Sequence, residues 1–225
     1  MPQRPIPQSE WIKVKTTLPS LPLPLNSTRP PVTTDRLLLR ALVPEDVHAL
    51  HIIRTQPEVM INNPTGRPDK DVEDTKPRLA VFLPPNDAKT YNFAICLKET
   101  GEMIGMGGCH RMAAIFGWPV LGYQLRKEYW GRGLATEFSR AWLEMWCKLP
   151  REEVEVVVDP RTVVGVETGD GRVKELMSSW TLDDNLGSQR VLEKAGFERF
   201  LVQREPDLRD PSVEVDLLIY RFSCE

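Results

Sequence analysis

Two glycines one residue apart, Gly131 and Gly133, stand among three cations, Arg126, Lys127 and Arg132. Ahead of them Leu121, Tyr123 and Leu125 alternate as strand positions do. Behind them Leu134, Phe138, Ala141, Trp142, Met145, Trp146 and Leu149 recur at intervals of three and four, one face of a helix. A helix opening straight out of such a turn presents unpaired backbone N–H groups and the positive end of its macrodipole. That is a site for an anion, most often a phosphate, and the neighbouring cations would neutralise its charge. A glycine turn required only for strand-to-helix packing is the weaker alternative for this stretch.

Other reactive side chains are sparse. His48 and His51 fall one turn apart on an expected helix, and with His110 they show no metal-ligand spacing, so no metal is expected. Cys96, Cys109 and Cys147 sit in apolar stretches and read as small core residues. With Cys224 they form no disulfide framework, which favours a reducing compartment, the cytoplasm. A length of 225 residues at 41% hydrophobic suits one domain with a sizeable core. No run approaches a transmembrane span, and the first residues lack the apolar core of a signal peptide. The net charge of −3, from 29 basic and 32 acidic residues, speaks against broad nucleic-acid binding.

The elements that must hold these groups are legible in outline. Residues 1–32 form a proline-rich arm, disfavouring helix and central strand, though Trp11, Ile12 and Val14 suggest that it packs across the surface of the domain at 33–225. Residues 36–40 read as the first strand of that domain, followed by a helix with Pro44 in its first turn and acids at its positive end. Residues 57–70 read as loop and 72–83 as a second helix, interrupted by Pro77. A hairpin is expected over 91–111 and strands over 152–158, 175–182, 199–204 and 213–222, with a loop at 159–172. Between the second and third of these strands, Asn185 or Asp184 caps a short helix that Gly196 and Phe197 close.

Three stretches resemble the GCN5-related N-acetyltransferases, and within them the branch similar to ribosomal-protein N-terminal acetyltransferases. Gly122-Tyr123 followed by Tyr129-Trp130-Gly131-Arg132-Gly133-Leu134-Ala135-Thr136-Glu137 resembles the family's pyrophosphate loop, with Trp130 in a Gln/Arg place. Residues 34–50 resemble the opening of the domain, and Asp184 to Phe197 the family's second signature, Asn-x-x-Ser/Ala before a short helix and Gly-Phe. The resemblance implies an α/β fold, a mixed, mostly antiparallel sheet flanked by helices, with acetyl-CoA as cosubstrate. It implies cofactor contacts from Gln124, Leu125, Arg126, Trp130, Gly131, Arg132, Gly133, Leu134, Ala135, Thr136, Asn185 and Ser188. It also implies substrate contacts from Met60, Asn62, Asn63 and Tyr123.

The implied reaction is direct attack of a neutral amine on the thioester. Backbone N–H groups around Gln124 to Arg126 would stabilise the oxyanion. Many relatives place a tyrosine four residues before the last helix's glycine; here Leu192 stands there, and Ser188 is the substitute donor to sulfur, unless its hydroxyl bonds within the helix's first turn. Related chains carry a glutamate just before Gly-Tyr, where this one has Val120 and Leu121, which leaves His110 as the candidate general base or a structural histidine. Without a carboxylate base, an α-amine of pKa about 7.7–8.0 suits better than a lysine near about 10.4. The acceptor is otherwise open among protein N-termini and small amines, and the sequence does not specify an oligomeric state. Two other readings are a binding module of the same fold without turnover, prompted by Leu192 and Val120, and a dinucleotide oxidoreductase, opposed by Thr136 in the third-glycine position.

Overall fold

The computed structural model describes residues 1–63, 65–165, 172–207 and 209–224. Its main sheet has eight strands in the order β2-β3-β4-β5-β6-β8-β10-β9. These are β2 (Val32–Thr33), β3 (Leu37–Ala41), β4 (Tyr91–Leu97), β5 (Met103–Arg111), β6 (Val120–Leu125), β8 (Met177–Leu182), β9 (Glu198–Pro206) and β10 (Glu214–Phe222). Pairing is antiparallel throughout except between β6 and β8. The expected hairpin over 91–111 is β4 and β5, and residues 175–182 supply the strand beside β6.

Helix α4 (Leu134–Cys147) and helix α5 (Leu186–Lys194) cover one face of the sheet. The three-to-four spacing of the α4 residues buries Phe138, Trp142 and Trp146 completely, with the two indoles stacked 5.2 Å apart. They meet Leu37, Leu39, Phe93, Ile95, Cys109 and Leu121, the alternate residues of β3 to β6. Helices α1 (Val47–Arg54) and α3 (Val72–Ala80) cover the other face, on Ala94, Cys96, Met103 and Met106. Pro77 is accommodated inside α3 on its exposed side, so the helix runs past the proline and ends at Ala80 rather than 83.

Three features depart from the sequence expectations. Residues 57–60 form a one-turn helix, α2 (Pro57–Met60), where loop was expected. The arm is not only extended: its stretch ending at Pro19 forms β1 (Ile12–Pro19), paired antiparallel with β7 (Arg151–Val158) in a separate two-stranded sheet. The arm also buries Leu23 and Arg29, whose guanidinium donates to the carbonyls of Pro24, Asn92, Asp87 and Thr90. Finally, Cys147 and Cys224 form a disulfide that ties the end of α4 to the chain beyond β10, against the expectation of none. Sequence spacing could not show it, because the two lie 77 residues apart and meet only through tertiary packing. Cys96 and Cys109 are buried free thiols, as expected. Of the loop expected at 159–172, residues 166–171 lie outside the described residues. No helix among the described residues is long and apolar enough to cross a membrane.

Candidate active site

β6 and β8 run parallel but pair at a single position, Val120 with Ser178. Hydrogen bonds hold the strands together there: Ser178 N–H and Oγ donate to Pro119 O at 2.8 and 2.9 Å, and Ser179 Oγ donates to Leu121 O at 3.0 Å. Beyond Leu121 no further β6–β8 pairing is present among the described residues, and the sheet opens along the rest of that edge of β6. Arg126 N–H donates to Ile104 O of the β5 side at 2.8 Å. Strand alternation therefore also turns Gln124 toward β5 and turns the N–H and C=O of Tyr123 and Leu125 toward the gap. The oxyanion donors expected over Gln124 to Arg126 are thus corrected: Arg126 and Gln124 serve the ladder, and Tyr123 and Leu125 face the opening.

The glycine turn stands at the wide end of this gap. Gly131 and Gly133 hold positive φ of 72° and 77°, left-handed backbone that glycine adopts without a Cβ penalty. Gly133 is the N-cap of α4, and no side chain caps it. The first-turn N–H groups, through Leu134, Ala135 and Thr136, are therefore available to an anion. A Cβ added at Gly131 would meet nothing within 4 Å. The turn is held from outside by a network that sequence reasoning missed. Arg36 donates from Nη1 to Arg132 O at 2.9 Å and from Nε to Glu137 Oε2 at 2.7 Å, while Thr34 Oγ1 and Arg36 N–H donate to Glu137 Oε1 at 2.6 and 2.8 Å. Burial alone would raise the Glu137 carboxyl; hydrogen bonds from Thr34 and Arg36 outweigh it and hold the pKa below the ordinary range. The available signal was an acid in a helix first turn.

The cations divide. Arg126 is paired with Glu102 and Lys127 with Glu58, whereas Arg132 makes no ion pair among the described residues and lies 5.4 Å over the Tyr129 ring. Arg132 is thus the cation of the three left without a carboxylate partner among the described residues. Trp130 braces the turn, its indole donating to Leu125 O at 2.9 Å while the residue stays exposed. A cavity of about 680 Å³ beside the turn is lined by Arg36, Lys98, Tyr129 and Arg132.

On the α4 face of the gap, the Tyr123 ring packs against Phe138, centroids 6.4 Å apart. Its phenol oxygen is buried without a hydrogen-bond partner, and burial pushes the pKa up to about 12. Ser188, in the first turn of α5, lies near enough to act on that ionisation without standing in hydrogen-bond geometry. Asn185 caps α5, its Oδ1 accepting from Ser188 N–H at 3.0 Å. On the opposite face Gln124 Oε1 is buried and also unpartnered.

His110 shares that opposite face. A Cβ placed on Gly122 would come within 3.2 Å of the imidazole Cε1 and 3.3 Å of Nδ1. The residue keeps an exposed edge, yet enough protein surrounds the ring for desolvation, with Arg111 adding like charge, to lower its pKa to about 4. It lines a cavity of about 430 Å³ with Leu21, Lys89 and Arg111. The substrate residues expected in the loop at 57–70 need correction. Met60 is fully buried, because the single turn of α2 directs Val59 and Met60 inward and leaves Ile61 outside. Asn63 accepts from Thr65 N–H and Oγ1 and shapes its own turn, while Asn62 is exposed.

Known proteins share this fold. A curated relative, the uncharacterized N-acetyltransferase p20 of Bacillus licheniformis, is 28% identical over 137 residues, covering 60% of this chain and 76% of its own. A GNAT-family acetyltransferase from Bacillus anthracis superposes with a TM-score of 0.62 at 20% identity, over 86% of this chain and 98% of that one. The ribosomal-protein-S5-alanine acetyltransferase of Vibrio fischeri gives 0.64 at 14% identity, over 88% and 98%. At those identities the structures establish the fold. The sequence profile of the acetyltransferase (GNAT) domain matches residues 36–198, from the arginine that braces the turn to the start of β9. That span is most of the chain, and with it this protein belongs to the GNAT family of acetyltransferases.

Proposed function

We propose that the protein transfers an acetyl group from acetyl-CoA to a primary amine, a protein N-terminus or a small-molecule amine, by direct attack on the thioester. The observation that carries this reading is the single β6–β8 pair above an uncapped α4. The pyrophosphate fits the N–H groups at Gly133 to Thr136 with Arg132 beside them. The pantetheine amides fit the free N–H and C=O of Tyr123, as an added strand would. The thioester then sits near the closed end of the gap, with His110 and Gln124 on the far face for the acceptor.

With a pKa of about 4, His110 is neutral at physiological pH and a weak base. It takes a proton from a nitrogen already bonded to the acyl carbon, not from a free ammonium. The acceptor must therefore arrive neutral, which favours an α-amine over a lysine side chain. The cytoplasmic location expected from unpaired cysteines loses that support, because Cys147 and Cys224 are joined.

The test is acetyl-CoA calorimetry on the wild type and Gly133→Asp, which sets a negative charge at the turn. Affinity should fall by about 100-fold in a variant that still melts cooperatively. An amine panel follows. Failure of the wild type to bind acetyl-CoA would remove the proposal, and faster turnover on lysine side chains than on free N-termini would remove the α-amine preference.

A further inference from the structure

Buried polar groups in native proteins almost always have hydrogen-bond partners, so a phenol that lacks one calls for a reason. Tyr123 has such a phenol. It stands on β6 just past the last β6–β8 contact, where the backbone faces the gap. The position is built: Gly107 across the ladder has no room for a side chain, since a Cβ there would lie 2.7 Å from both the Phe138 ring and Tyr123 Cβ. Phe138 on one side and the bare β5 backbone on the other fix the tyrosine ring. Meanwhile the α5 position that bears a tyrosine in many relatives is Leu192, only 1% exposed and without a polar atom.

We propose that Tyr123 is a catalytic residue, the hydrogen-bond donor to the leaving sulfur. The inference rests on the acetyl-CoA reading above. In the step it serves, the amine nitrogen bonds to the carbonyl carbon and the C–S bond breaks with its electron pair on sulfur. The proton shed by nitrogen ends on the CoA thiol. Tyr123 donates to the sulfur while it carries charge and keeps its own proton. The raised phenol pKa suits this role, since the group stays protonated and a donor at any pH at which the enzyme works. Tyr220 is the rival donor, because its buried hydroxyl is likewise unpartnered. It lies on β10, behind β8 and so two strands away from the β6 edge that Tyr123 occupies.

The test compares CoA with desulfo-CoA by calorimetry at about pH 9, above the ordinary thiol pKa of about 8.5. A charge-assisted donor to sulfur should make CoA bind about 10-fold more tightly than desulfo-CoA in the wild type. In Tyr123→Phe that ratio should fall to about one, with desulfo-CoA affinity unchanged, which also shows that the variant is folded. The kcat should drop by about 100-fold with little change in the KM for acetyl-CoA. An unchanged ratio in Tyr123→Phe overturns the proposal, as does a collapse confined to Tyr220→Phe. If neither ligand binds the wild type, the acetyl-CoA reading has failed instead.

Discussion

The two helices beside the gap, α4 and α5, are finished in opposite ways. α5 is closed at both ends: Asn185 caps its start through Ser188 N–H, and Gly196, at a φ of 96°, ends it before buried Phe197. α4 has no side-chain cap at its start, while its far end is locked by the Cys147–Cys224 disulfide. An isolated helix would gain about 1 kcal/mol from a good cap. α4 forgoes it, and the surrounding structure holds the bare turn from outside through Arg36, Thr34 and Glu137. A helix start can be satisfied from within, as in α5, or supported by neighbours that leave its N–H groups clear, as in α4.

The largest effect that separates the two ends of α4 comes from the disulfide. Opening a link that spans 77 residues frees the unfolded chain far more than the folded one. Cys147→Ser should cost up to about 4 kcal/mol, read in a denaturant titration. Acetyl-CoA affinity should stay within about twofold, because the bond sits roughly 20 Å along the helix from the turn. A tenfold loss of affinity in a still-folded variant would mean that the far end sets the geometry of the turn, and the contrast drawn here would break.

Glu137 provides the next test. Its carboxyl is held below the ordinary range by Thr34 and Arg36, so the stabilisation is fully present above the ordinary carboxylate pKa. It is lost as pH falls through the lowered folded-state value. Glu137→Gln should cost about 1.5 kcal/mol near neutral pH and flatten the acid limb of a stability-versus-pH profile. Acetyl-CoA affinity should weaken by about tenfold, since the turn then loses one side of its brace. A variant with wild-type affinity would show that the turn organises itself.

How much of this was legible in the sequence follows the range of the interactions. The strand alternation around Tyr123, the stripe through Trp142 and Trp146 and the Asn185 cap are local patterns, and each was readable. The turn itself was readable from Gly131 and Gly133. Its brace was not, because Arg36 and Glu137 lie 101 residues apart. Arg126 looked like a phosphate cation until folding brought Glu102 to it, and Met60 looked available until one turn of α2 directed it inward. The β1–β7 ribbon was hidden by the prolines before and after it, which marked an extended arm but said nothing of its partner. A hydroxyl's lack of a partner, as at Tyr123, is a property of the folded neighbourhood alone.

The smallest effects provide the cleanest contrast, because one substitution at two helix starts should change stability in opposite directions. Gly133→Ala puts a Cβ where the only neighbour is Arg36 Nη2 at 3.5 Å, so space is not the obstacle. The cost is the left-handed backbone, about 1–2 kcal/mol. Gly187 lies within the first turn of α5, where a Cβ would meet only Asn185 Oδ1 at 3.6 Å. Gly187→Ala should therefore stabilise by about 0.5–1 kcal/mol through the helix preference of alanine. Thermal melts of the two variants check the signs. Loss of stability in both would place Gly187 with Gly133 as a glycine kept for close approach of a ligand. α5 would then be a second ligand-facing helix start rather than one built only to fold.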